Sequence, residues 1–202
     1  EDHFRNKTNM AGMNISQFWT IVKSGLHFQY MFNALHLNNG NGTFSDIAQM
    51  AGISKTDWSW APLFADFDYD GQRDLFITNG ILREIRNRDF LNYRKEVQGK
   101  GISKLEITKQ TPSIKIRNYM CQNQGNLHFK NVADKWGMDE KSFSQGAVYA
   151  DLDNDGDLDI VVNNMNDPAF VYENQMNNNG NNFIRVVCKG ENGNLKSLGA
   201  RA

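Results

Sequence analysis

An all-β fold, organised as a partial β-propeller of four-stranded blades with Asp-rich metal-binding hairpin loops and a short helical insertion, is what this 202-residue sequence predicts. Two observations are local. Asp151-Leu152-Asp153-Asn154-Asp155-Gly156-Asp157-Leu158-Asp159 runs straight into Ile160-Val161-Val162, and Asp66-Phe67-Asp68-Tyr69-Asp70-Gly71-Gln72-Arg73-Asp74 runs into Leu75-Phe76-Ile77. The third is a gapless repeat: an offset of 85 pairs Asp66 with Asp151 and also Asn33 with Asn118, Asn38 with Asn123, Phe44 with Phe129, Ala48 with Ala133, Gly52 with Gly137, Ser59 with Ser144 and Ala65 with Ala150. Each copy reads strand, Asn/Gly turn, Phe-containing strand, loop, small-residue strand, Asp loop, apolar strand. Its length of about fifty residues suits one propeller blade.

The loops carry the chemistry. Five carboxylates within nine residues downstream, and four upstream, repel one another in any folded loop unless a multivalent cation sits among them. Hard oxygen donors at alternating positions, with a glycine at the sharp turn, suit calcium. The side-chain ligands expected are Asp66, Asp68, Asp70 and Asp74 in one site, and Asp151, Asp153, Asp155 and Asp159 in the other. Gln72 and Asp157 are expected to offer backbone carbonyls, for two Ca2+ sites in all. An EF-hand would place a Glu at the twelfth position and a helix after it. Here that position is Ile77 or Val162, inside runs that read as strands. A metal-free Asx-rich turn is the simpler alternative, because Asp, Asn and Gly favour turns on their own account. The downstream loop has one more acid and lacks Arg73, so it is expected to bind more tightly.

In chain order, residues 1–25 form an unassigned N-terminal segment in which Ile15, Phe18, Trp19, Ile21 and Val22 are spaced for a short amphipathic helix. Residues 26–79 make the first repeat. Its aromatic run Phe28-Gln29-Tyr30-Met31-Phe32 predicts a strand, and Asn38-Asn39-Gly40-Asn41-Gly42 supplies hairpin chemistry. A strand at Leu63-Phe64-Ala65, the first Asp loop and a closing strand through Thr78 complete it. Residues 80–115 form a basic, partly helical insertion with Asn87 or Asp89 as its cap. Residues 116–167 are the second repeat. Residues 168–202 begin a third unit at Phe170-Val171-Tyr172-Glu173-Asn174, with residues 177–182 in the turn position and Phe183 after them.

Composition narrows the class. With 40% hydrophobic and 11% aromatic residues the chain can bury a core. Its net charge of −1 divides into +6 over residues 81–117 and −7 elsewhere, which gives no overall basic balance for nucleic acid. The basic segment reads as a solvated cover. No apolar run approaches the ~20 residues of a membrane-spanning helix. Cys121 and Cys188 lack metal-type spacing and read as two buried free thiols, with a single bridge between them as the alternative. His3, His27, His36 and His128 are scattered, and neither a Ser/His/Asp nor an HExxH pattern appears, so no enzyme is expected over a metal-dependent hydrolase. Trp58, Trp60 and Tyr69 read as core aromatics, with glycan stacking beside calcium as the alternative. The abrupt beginning and end suggest a piece of something longer.

The two D-x-D-x-D-G-x-x-D loops, preceded by Trp60-Ala61-Pro62 and Gln145-Gly146-Ala147 and followed by aliphatic runs, resemble the FG-GAP/VCBS repeats of integrin-α-like propellers. Residues 39–48, then Ala51-Gly52-Ile53, are similar to the subgroup with an ASPIC/UnbV domain related to cartilage acidic protein. Phe183-Ile184-Arg185-Val186-Val187 through Gly199-Ala200-Arg201-Ala202 looks like the opening of that domain. In wording the resemblance is nearest to large bacterial surface or exported members. It implies an extracellular, cell-surface or periplasmic place, calcium on a hairpin, and adhesion or binding of a protein or glycan ligand. Tyr69 and Arg73 depart from the residues usual in such a loop.

Overall fold

A computed structural model describes residues 15–26, 28, 30, 32–176 and 186–190. Helix α1 (Ile15–Lys23) comes first, then β1 (His36–Asn38), β2 (Phe44–Asp46), β3 (Ser59–Ala65) and β4 (Asp74–Asn79). Helices α2 (Arg88–Glu96) and α3 (Lys104–Lys109) occupy the insertion. The second repeat supplies β5 (Ile116–Arg117), β6 (Tyr119–Asn123), β7 (Phe129–Asn131), β8 (Lys141–Ser142), β9 (Ser144–Ala150) and β10 (Asp159–Asn164), and β11 (Phe170–Tyr172) follows. Among the described residues every strand pairing is antiparallel, and eleven strands against three helices make the fold mostly β.

The sheets are out of phase with the repeat. A four-stranded sheet runs β3-β4-β6-β7, taking its first two strands from residues 26–79 and its last two from residues 116–167. The unit that reads as one blade's worth of chain therefore contributes to two sheets. A second sheet runs β9-β10-β11. Its pairing of Ile160 with Tyr172 and Val162 with Phe170 matches the pairing of Leu75 with Cys121 and Ile77 with Tyr119 in the first sheet. Strand β11 thus stands where β6 stands, as the third unit expected at residue 170 requires. Residues 177–183, expected as its turn and next strand, lie outside the described residues, as does most of the ASPIC/UnbV-like segment.

Two apolar layers hold the sheets. Between them lie Phe76, Met120, Val132, Ala133, Met138, Ile160 and Val162. On the other face of the first sheet, Ala48, Ala51 and Ile53 cover Leu75, Ile77 and Cys121. Strand β4 is consequently buried on both faces along its whole length. Its one hydroxyl is satisfied by the second sheet, since Thr78 Oγ1 donates to the carbonyl of Gln145 in β9.

A buried polar chain stitches the same interior. The Asn79 N–H donates to Asn118 Oδ1 at 2.9 Å, and Asn118 Nδ2 donates to Ser144 Oγ at 2.9 Å. Ser144 Oγ donates in turn to Asn164 Oδ1 at 2.8 Å, and Asn164 Nδ2 reaches the Pro168 carbonyl at 2.7 Å. Asn118 and Ser144 are among the residues that recur at the 85-residue offset. Their recurrence has a physical cause, because a buried amide or hydroxyl without a partner costs about 1–3 kcal/mol.

Outside the sheets the sequence is followed in part. Helix α1 forms where its apolar spacing places it, with none of its residues buried. The strand expected over residues 28–32 does not: Phe28, Tyr30 and Phe32 carry no ladder, and the strand begins at His36. Aromatic self-association competes with strand pairing there. Phe18 and Tyr30 rings lie 5.7 Å apart, and Tyr30 and Phe32 rings 5.0 Å apart. In the insertion, Asn87 is the cap of α2, accepting the Asp89 and Phe90 N–H groups, and Phe90 is buried. Ser103 and Glu106 form a capping box for α3. Lys115, at the insertion's end, pairs with Asp167 at 2.6 Å, and Arg117 of β5 with Asp134 at 2.5 Å, surface contacts of small energy. Cys121 and Cys188 are both free, but Cys188 is exposed, correcting its expected burial.

Asn118→Ala should lower unfolding stability by about 1–3 kcal/mol by orphaning the Asn79 N–H. The exposed Lys130→Ala should change it by less than about 0.5 kcal/mol. Denaturant melts of the two variants check the contrast.

Candidate metal-binding loops

Each Asp loop bridges two antiparallel strands, β3 to β4 and β9 to β10. The backbones agree closely. Tyr69 and Asn154 share a left-handed conformation (φ 57° and 66°), as do Gly71 and Gly156 (φ 87° and 103°). Glycine takes that region freely and asparagine readily, whereas a tyrosine pays of the order of 1–2 kcal/mol.

The ninth-position acids close the loops. Asp74 Oδ2 accepts the Phe67 N–H at 3.2 Å, and its Oδ1 accepts the Asn123 N–H at 2.9 Å. Asp159 repeats this, with Oδ2 taking the Leu152 N–H and Oδ1 the Asn174 N–H, both at 2.9 Å. Asn123 and Asn174 answer with side-chain amides on the carbonyls of Arg73 and Leu158. Asn123 ends β6 and Asn174 lies just past β11, so each loop is clamped to the strand added next to it. Sequence spacing marked Asn123 as repeated but gave it no role.

The remaining acids converge. Carboxylate oxygens of Asp66, Asp68 and Asp74 lie within 4.8 Å of one another, as do those of Asp151, Asp153 and Asp155. In the first loop Asp66 accepts the Asp70 and Gly71 N–H groups at 3.1 and 3.0 Å, and Gln122 Nε2 donates to Asp68 Oδ2 at 2.6 Å. Asp70 is exposed and outside that cluster, its carboxylate taking the Gln72 N–H at 2.7 Å and the Gln72 side-chain amide at 3.3 Å. In the second loop Asp153 accepts the Asp155 N–H and Asp155 the Asp157 N–H, at 3.2 and 3.1 Å. Asp159 stays outside that cluster. Asp157, expected to contribute through its backbone, is fully buried.

The loops also touch one another. The Tyr69 hydroxyl donates to the Gly156 carbonyl, and Asn174 Nδ2 donates to the Phe67 carbonyl at 2.8 Å. Burial, then the charges of Asp157, Asp155, Asp151 and Asp66, push the Tyr69 hydroxyl pKa up, which places it in the field of both clusters. Tyr69 is accordingly a bridge. Trp60 is 48% exposed rather than core, with its indole N–H donating to the Gly80 carbonyl at 2.6 Å.

Electrostatics record the crowding. Burial raises the Asp74 carboxyl to about 6 against the pull of the Asn123 N–H, and Asp68 adds repulsion. For Asp153 the Asp155 N–H pulls downward, but desolvation and the charges of Asp155 and Asp159 leave its carboxyl raised. Cys121, beside Asp74, is pushed up to about 12 by burial and stays a thiol. The donors gathered in each cluster are hard oxygens alone, a set that suits calcium rather than a soft transition metal.

Residues 26–77 match the FG-GAP-like repeat family. Over 72 residues the chain is 38% identical to cartilage acidic protein 1 of Xenopus tropicalis, a match covering 35% of this chain and 11% of that protein. The chain thus spans a small part of the length of the relative it matches. Among the described residues no helix is long and apolar enough to cross a membrane.

The raised Asp74 carboxyl carries a sign. The folded chain keeps a proton that the unfolded chain, titrating near 3.8, gives up. Without cation, the stability this group contributes is full below about pH 3.8 and is lost as pH rises through about 6. In chelator, the melting temperature should therefore rise as pH is lowered from about 7.5 to about 5.5, read by circular dichroism.

Proposed function

We propose that this chain is a calcium-binding repeat module of an exported or cell-surface protein, part of a β-propeller, in which the metal is structural and the assembled surface serves adhesion or ligand binding. The convergence of three carboxylates in each of two equivalent loops carries the reading. The FG-GAP-like match over residues 26–77 supports it, as such repeats resemble those of integrin-α-like extracellular propellers. Asp66, Asp68 and Asp74 with Asp70 at the rim would hold one ion, and Asp151, Asp153 and Asp155 the other. Gln72 and Asp157 are assigned backbone carbonyl contacts, and Asp159 a place at the edge of its site.

The bound ion would neutralise the acids that the fold forces together. Its effect is then on the loops' shape and on the strands they join, with no bond made or broken. Affinities on the order of 10⁻⁴ to 10⁻³ M suffice outside the cell, where calcium is abundant. An ion that binds the folded state alone stabilises it by about 2.7 kcal/mol per site at a free concentration of 100 Kd.

Titration calorimetry should count two sites, and calcium should raise the melting temperature while a chelator lowers it. In millimolar calcium the pH trend should reverse, because protons then compete with the ion. No heat of binding and a melt indifferent to chelation would defeat the proposal. Asp153→Asn should abolish the tighter site and Asp68→Asn the weaker one; equal affinities at the two sites would refute that ranking.

A further inference from the structure

The two Asp loops belong to different sheets, yet a side chain of one grips the backbone of the other. Tyr69 occupies the fourth position of the upstream loop, between Asp68 and Asp70. Its hydroxyl donates to the Gly156 carbonyl in the downstream loop. That carbonyl shares one planar peptide with the Asp157 N–H, which donates to Asp155 Oδ1 at 3.1 Å. The hydroxyl therefore holds one edge of a peptide whose other edge orients a carboxylate of the Asp151, Asp153 and Asp155 cluster. Gly156 stands at φ 103°, and a glycine there has no side chain to restrict the tilt of that peptide. An outside donor is what fixes it.

A second tie runs the other way. Asn174 Nδ2 donates to the Phe67 carbonyl at 2.8 Å and to the Leu158 carbonyl at 3.3 Å, while its main-chain N–H holds Asp159 Oδ1 at 2.9 Å. One asparagine thus joins the second residue of the upstream loop to the last two of the downstream loop.

The loops differ in what their own sheets supply. In the first sheet Gln122, next to Cys121, gives its amide N–H to Asp68 at 2.6 Å. Tyr172 pairs with Ile160 as Cys121 pairs with Leu75, so Glu173 takes the place of Gln122 in the second sheet. A carboxylate accepts hydrogen bonds and gives none when ionised, so the downstream loop has no equivalent amide to steady its acids. Tyr69 brings a donor from the neighbouring sheet instead.

We propose that the Tyr69 hydroxyl is a positioning group for the downstream calcium site, so that an ion held among Asp151, Asp153 and Asp155 depends on a side chain of the upstream loop. The inference rests on the calcium reading above. By setting the peptide before Asp157, the hydroxyl orients Asp155 and the Asp157 carbonyl assigned to the ion before the ion arrives.

Titration of the full chain with calcium, followed by calorimetry, separates the sites by background: Asp68→Asn leaves the heat of the downstream site and Asp153→Asn that of the upstream one. Adding Tyr69→Phe keeps the ring and removes the hydroxyl. It should raise the dissociation constant at least about fivefold in the first background, the worth of one hydrogen bond, and by less than about twofold in the second. Tyr69→Asn, which suits the left-handed backbone and is too short to reach the other loop, should weaken the downstream site likewise. It serves where circular dichroism shows Tyr69→Phe unfolded. Unchanged downstream affinity overturns the inference, and so does an equal loss at both sites, which would make Tyr69 a support of the shared structure alone. In both of those cases the ion still binds and the calcium reading stands, whereas no heat from the unsubstituted chain defeats the two together.

Discussion

A single carboxylate at the end of each Asp loop, Asp74 or Asp159, accepts one N–H from the loop's second residue and another from an asparagine at the end of the neighbouring strand. This double clamp fixes three things together: the loop's curvature, its attachment to the sheet and the strand laid alongside. It also draws the earlier acids inward. Asp66 and Asp68 are held near Asp74 by main-chain and Gln122 donors, and burial, with repulsion from Asp68 added to it, keeps the Asp74 carboxyl raised. A cation in such a place answers a requirement that the backbone has already set.

The Asp loops, the apolar strands after them, the repeat and the Asn87 cap were legible because each rests on local spacing or turn chemistry. The predominance of β structure followed from the same signals. What local spacing cannot express is pairing between segments far apart. The β5–β8 ladder is only two residues long on each side, and the Tyr69–Gly156 contact spans 87 residues of chain. The aromatic run at residues 28–32 misled because β propensity measures a side chain's fit to a half-buried sheet, and here the rings stack on one another instead. Repetition at one offset held more than was read from it: Asn118 and Ser144 recur because they are links of one buried chain.

Tyr69 shows how a departure from a motif acquires a use. Its left-handed backbone is unfavourable for a ring-bearing residue, yet that conformation carries the hydroxyl to the other loop. With Asn174 on the Phe67 carbonyl, the bridge makes the geometry of one acidic cluster depend on the other. Asn154, at the equivalent place, has neither the ring nor the reach.

The staggering of sheet against repeat bears on how such a chain can be divided. A segment excised at the borders of the sequence motif would carry away two halves of different sheets, each with a raw edge. Scissors placed after β2 and after β7 would instead release a whole four-stranded layer with its own calcium-loop candidate inside. Evolutionary duplication of the motif would, by the same logic, have interlocked neighbouring layers from the outset, so that no copy could drift away from the next without unravelling both.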